Sequence, residues 1–243
     1  MGPVSDLITY HGTPHKFPPT AKNPLGEFDP TKIGTGEGAQ AYGHGLYLAE
    51  NPGVATDYAK TLGPKTALSN PEYVAAQARL AKFEDAVSKR YKQDALSPME
   101  DIAFYSEKYP KRVINAANKI QTAEQAAYEK ASKGNLYKVD LPDEQIAKML
   151  DWDKPFSNQS PDVQELIKNA LEIRKKQTGG YGLFDSLEKS SIKDLIATIG
   201  EQRLQQAGIP GIRYLDQGSR AGGAGTSNFV VFDPKHMNII GRE

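Results

Sequence analysis

Apolar and polar positions along the chain alternate with two different periods. Leu7, Ile8, Thr9, Tyr10, His11 and Gly12 form a short run that ends on glycine, which predicts a strand followed by the irregular, Pro-rich stretch to Pro30. Leu46, Tyr47 and Leu48 predict a second strand. Asn51 and Pro52 then read as an N-cap and a first helical position, opening a helix that presents Tyr58 about two turns later.

From Pro71 to Gly134 the period changes. Tyr73, Ala76, Leu80, Phe83, Val87 and Tyr91 step by three and four, as do Val113, Ala116, Ile120, Ala123, Ala127 and Ala131. With breaks near Pro98 and Pro110, this predicts a helical hairpin inserted at about 71–133 of a single 1–243 domain. Asn135 to Leu141 alternate as a half-buried strand stopped by Pro142. Helices are expected over 161–176 and 188–207, with Gly179, Gly180 and Gly182 as a flexible linker between them. Strands return at Ile212 to Leu215 and Phe229 to Phe232. The loop between them, Gly218 to Gly225 with Arg220, reads equally as ordered by a ligand or as loose.

Composition narrows the function classes. A chain of 243 residues with 38% apolar residues can bury a sizeable core. Zero cysteines exclude disulfides, thiolate metal sites and cysteine nucleophiles. Lys plus Arg equals Asp plus Glu at 30 each, which disfavours stable nucleic-acid binding. Neither a membrane helix nor a signal peptide is visible, so a cytoplasmic location is expected, with no membrane partner.

Several features invite chemistry that their context opposes. His11 and His15 are four apart, but Gly12 and Pro14 argue against a helix, and no metal is expected. Gly34, Gly36, Gly38, Gly43 and Gly45 lack the Gly-Lys-Ser/Thr of a P-loop and precede a strand, so a mobile loop bordering a cleft is the better reading. Glycines 43 and 45 admit close backbone approach or a sharp turn. Lys89, Arg90 and Lys92 read as a solvated face, and Arg174, Lys175 and Lys176 as a helix-end cluster that the helix dipole explains. Trp152 in DWDKPF reads as a packing anchor. Tyr47 and Tyr58 are either ordinary half-buried core residues or two aromatic faces for a flat ligand.

Three segments carry a resemblance: Tyr10-His11-Gly12-Thr13, GHGLYLAE with Tyr58 eleven residues after Tyr47, and SNFVVFD at 227–233. Together they resemble the ADP-ribosyltransferases of the diphtheria-toxin and poly(ADP-ribose) polymerase type. Their order and spacing, with GIRYLD at 211–216, are most similar to the ADP-ribosyltransferase domains of polyvalent proteins of phages and conjugative elements. The resemblance implies an α+β fold with a split, mainly antiparallel β-core and helical insertions. It implies cleavage of the nicotinamide–ribose bond of NAD, a substrate here, and transfer of ADP-ribose to a macromolecular acceptor, protein in preference to nucleic acid, in the cytoplasm of a bacterial host.

The same resemblance assigns roles. His11, Tyr47 and Asn228 stand as the catalytic triad, with Gly12, Thr13 and Tyr58 binding NAD: His11 on the ribose hydroxyls, the Gly12 backbone on the carboxamide, and both tyrosine rings on nicotinamide. Two positions depart from the family. Asn228 stands where polymerase-type enzymes place glutamate, and Ala55 where many relatives place serine, for which Thr13 is a candidate substitute. Asp233 is an odd number of strand residues away and cannot replace the acid, which leaves Asp216, Glu50 or a group on the target. These departures favour single transfer over chain elongation. The alternative is a catalytically silent module that binds NAD or ADP-ribose and holds a partner through its helical insertion.

Overall fold

The computed structural model describes residues 7–34, 41–91, 97–179, 187–216 and 225–243. Gly36, Gly38, Lys92, Gly180, Gly182, Gly218 and Arg220 lie outside the described residues. The fold is α+β, and the described chain divides into two compact units.

The first unit, residues 1–12, 16–57 and 135–243, holds a seven-stranded, mostly antiparallel sheet. Its strands are β1 (Leu7–Thr13), β2 (Leu46–Ala49), β3 (Asn135–Leu141), β4 (Leu150–Asp151), β5 (Gly211–Leu215), β6 (Ser227–Val231) and β7 (Asn238–Arg242), in the order β4-β5-β6-β2-β1-β3-β7. Only β4 and β5 run parallel among the described pairs. Alternation along β6 explains the two cores. Phe229 and Val231 join Leu46, Leu48, Tyr137 and Val139 in one cluster, while Val230 joins Ile212, Ile167 and Leu195 in the other. The second cluster is covered by α6 (Pro161–Thr178), α7 (Ile192–Ile199) and α8 (Glu201–Gln206).

The expected helix over 188–207 is broken. A 3-10 turn at Leu187–Lys189 precedes α7, and Gly200 at φ +86° ends α7 and starts α8, a backbone state that a residue with a Cβ rarely adopts. Gly179 is the left-handed C-cap of α6 at φ +63°. Arg174, expected to need only the helix dipole, instead donates from Nε to the Thr198 carbonyl at 2.8 Å. Trp152 packs against the helix-covered cluster, edge-on to Tyr42 at 4.9 Å.

The second unit, residues 13–15 and 58–134, is helical. The helix α1 (Pro52–Ala67) starts where the sequence indicates, with Asn51 Oδ1 accepting from Gly53 N at 2.8 Å. In this unit α2 (Pro71–Arg90) packs antiparallel to α4 (Lys111–Ser132), with Lys130 bridging Glu72 at one end. Asn70 caps α2. A short α3 (Pro98–Phe104), opened by a Ser97–Glu100 capping box, lies between them, so the connection is more than a turn. Val87, Ile102, Tyr109 and Ala117 form the local core.

Candidate functional site

The central strands β6, β2 and β1 assemble residues far apart in sequence. Leu48 pairs with Phe229 and Ala49 with Asn228 on one side of β2, and Ala49 meets Tyr10 on the other. Glu50 N donates to Ser227 O at 2.9 Å, so the alternation of an antiparallel ladder turns the main-chain groups of Ala49 and Tyr47 toward β1. Tyr10–Ala49 is the one described pair between β1 and β2, and continuing that register sets Gly12 opposite Tyr47.

Here a side chain replaces a ladder bond. His11 Nδ1 lies 2.9 Å from the Tyr47 carbonyl oxygen. A carbonyl only accepts, so Nδ1 carries the proton and Nε2 of the neutral ring is an acceptor. Burial holds the imidazole below the usual histidine range, against a smaller upward pull from the Tyr47 carbonyl. The ring is fixed by Phe17, stacked at 6.0 Å, and by Phe28, edge-on at 5.5 Å. No described residue bonds Nε2.

Asn228 is set by strand parity. It shares a face with Val230 and stands beside Ala49 on β2 and Tyr214 on β5. It is 8% exposed, and its Oδ1 is buried with no hydrogen-bond partner among the described residues. An unsatisfied buried carbonyl costs about 1–3 kcal/mol, so this oxygen is open to a donor that no described residue supplies.

Tyr47 points to the helix-covered cluster, so its ring and the His11 ring lie in different cores. Its hydroxyl donates to Gly43 O at 2.8 Å and accepts from Tyr42 N at 3.2 Å. Tyr42 in turn stacks on Tyr214, centroids 3.9 Å apart. The glycines that open this segment are consumed by packing within the protein. Gly43 has φ +115°, and Glu201 accepts from His44 N at 2.8 Å beside it. A Cβ at Gly45 would lie 2.6 Å from Val230 Cγ1 and 2.7 Å from Val231 O.

The candidate acids separate clearly. Glu50 Oε2 accepts from Ser227 N at 2.8 Å, one residue from Asn228. Asp216 accepts from the Thr226 hydroxyl, and Asp233 accepts from Lys235 N at 3.1 Å to cap a 3-10 turn. Thr13 and Tyr58 belong to the second unit. Thr13 is buried and accepts from His15 N at 3.3 Å, and Tyr58 is 48% exposed. Ala55 is buried. Among the described residues no group of three or more His, Cys, Asp or Glu converges as metal ligands would.

Thus the structure brings the His11 ring to the Tyr47 backbone, while the Asn228 side chain, on the face of Tyr47 and Val230, lies across the sheet from that ring. Trp152 is the packing anchor the sequence indicated, whereas the parts played by Tyr42, Tyr214 and Glu201 were not legible in sequence beyond the aromatic at 42 directly before Gly43. The chain matches no protein-family model, no curated protein and no solved structure.

Proposed function

We propose that the chain is an NAD-dependent mono-ADP-ribosyltransferase. The observation that carries the reading is the buried Asn228 Oδ1, without a partner among the described residues, at the meeting of β6 and β2, on the position where the family resemblance places its catalytic side chain. Two features support it. His11 is a neutral, ring-locked acceptor, suited to ribose hydroxyl donors. The sheet narrows to one described pair between β1 and β2, which agrees with a split core and leaves the Gly12 backbone as the group to hold the carboxamide.

In the reaction the bond between ribose C1′ and the nicotinamide nitrogen breaks, and its electron pair stays on nicotinamide. Positive charge develops on the ribose as an oxocarbenium-like centre. A nucleophile of the acceptor forms the new bond to C1′ and loses its proton to solvent or to a base. The developing charge requires a carboxylate or oriented dipoles. Asn228 contributes the dipole of its amide oxygen, and Glu50, anchored by Ser227 N, contributes the negative charge. Tyr47 is the candidate aromatic partner of nicotinamide in the sheet-bearing unit, and Tyr58 is tested on its own.

One observation favours a second reading, a module that binds NAD or ADP-ribose without cleaving it: an amide occupies the position that a carboxylate holds in the polymerase-type enzymes. Incubation with adenylate-labelled NAD and a bacterial lysate separates the two. Transfer of label to macromolecules with release of nicotinamide is expected. Binding of NAD with neither label transfer nor nicotinamide release refutes the transferase and leaves the binding module.

A further inference from the structure

The second unit carries a groove that the transferase reading does not use. Two adjoining hollows run between α2 and α4, and their linings follow one continuous helical stripe on each helix. On α2 the stripe runs from Glu72 to Arg90, about 28 Å at the rise of an α-helix. The floor is made of alanine methyls with Val113 and Ile120, joined toward the Arg90 end by Phe83, Val87 and Tyr91, and Ala76 is nearly buried while Ala75 and Ala123 are open. Small side chains there let a third helix approach closely.

The rims are basic on both sides. Arg79 and Arg90 stand on α2, and Arg112 and Lys119 on α4, none of them in an ion pair among the described residues. The one acid of the lining, Glu72, is already neutralised by Lys130 at 2.6 Å. Residues 58–134 hold 13 Lys and Arg against nine Asp and Glu, in a chain whose formal charge is zero. The first turn of α4 has no acid and carries Lys111 and Arg112, against the preference of the helix dipole. A negative partner relieves that conflict.

We infer that this groove docks an amphipathic helix of a protein partner, with an apolar stripe on the alanine floor and Asp or Glu on both flanks. The apolar floor decides for a helix over nucleic acid, because phosphate contacts need only the rims, and the basic residues on both sides decide the charge of the flanks. This docking role is independent of the transferase reading, because it uses none of the residues placed in the candidate site.

The test uses the full chain and three fluorescent probes: a 19-residue helix with a Leu/Ala stripe and Glu flanks, the same stripe with Lys flanks, and a single-stranded oligo(dT) of similar length. Anisotropy is expected to show the Glu-flanked helix binding at least about tenfold tighter than the Lys-flanked one, since four exposed charge contacts contribute modestly each. Arg90→Glu with Arg112→Glu reverses the preference, and Ala123→Trp, which fills the floor, weakens the Glu-flanked helix at least about fivefold. Circular dichroism confirms that the variants are folded, with Arg112→Gln as the milder substitute. The proposal is overturned if the two helices bind alike, if charge reversal leaves their ratio unchanged, or if the oligonucleotide binds more tightly than the Glu-flanked helix. It is equally overturned if sedimentation shows a dimer that Ala123→Trp dissociates, which makes a second copy the occupant.

Discussion

Replacing Asn228 by leucine separates a residue kept for ligand binding from one kept for the fold, because the two roles predict opposite signs. The side chain is 8% exposed and its Oδ1 has no described partner, so in the free protein this oxygen carries a desolvation cost of about 1–3 kcal/mol. Leucine has the same branched shape and number of side-chain heavy atoms and no polar atom. Asn228→Leu is therefore expected to stabilise the ligand-free protein by about 1 kcal/mol, raising Tm by about 2–4 °C for a chain of this size. In the same variant NAD loses a hydrogen bond of about 0.5–1.5 kcal/mol, so calorimetry is expected to give a Kd about two- to tenfold higher. Nicotinamide release falls with it. A Leu variant that melts below the wild type shows that the amide is bonded within the fold, and an unchanged Kd shows that it does not face the ligand. Either result removes Asn228 from the site.

Four further expectations follow from the same geometry. His11 has its pKa lowered by burial, so the unfolded chain binds more protons than the folded one below about pH 6.5; stability is complete above that pH and is lost as pH falls through the folded pKa. His11→Asn, which keeps a donor for the Tyr47 carbonyl, flattens that part of a Tm-against-pH profile, and in the wild type NAD affinity falls in the same window as Nε2 gains its proton. Glu50→Gln keeps an acceptor for Ser227 N but removes the charge, and is expected to slow nicotinamide release about ten- to a thousandfold with little change in Tm; unchanged turnover transfers the role to another acid. Tyr47→Phe loses the hydroxyl contacts to Gly43 and Tyr42 and costs about 1 kcal/mol in denaturant unfolding, whereas Tyr47→Leu and Tyr58→Leu test the aromatic faces themselves, with a loss of about 0.5–2 kcal/mol in NAD binding expected for each. Gly211→Ala is expected to destabilise by at least about 2 kcal/mol, because its Cβ would lie 2.1 Å from Val230 O, and a Tm within 2 °C of wild type would contradict the close strand packing.

Sequence periodicity recovered β3 residue for residue and the start of α1 at Pro52, because both are marked locally by alternation and by a cap. It missed β7, whose half-exposed Asn238-Ile239-Ile240-Gly241-Arg242 gains its strand identity only by pairing with β3. It also joined α7 to α8, since the apolar stripe continues past Gly200 while the backbone does not. Glycines 43 and 45 were ambiguous for a physical reason: sequence records that a Cβ is excluded, not what excludes it, and the excluding atoms belong to Glu201, Val230 and Val231. At the site, Asn228 was visible as a departure from a familiar motif. Its missing hydrogen-bond partner depends on neighbours contributed by β2 and β5 and had no local signature.

The sheet order has a consequence for synthesis. Ala49 finds its partner Asn228 only after the intervening chain has been made, because β2 takes its neighbour β6 from far later in the sequence. Such distant pairing folds late, so a chain being made holds Tyr47 and Glu50 apart from Asn228 until β6 has been synthesised and can pair with β2.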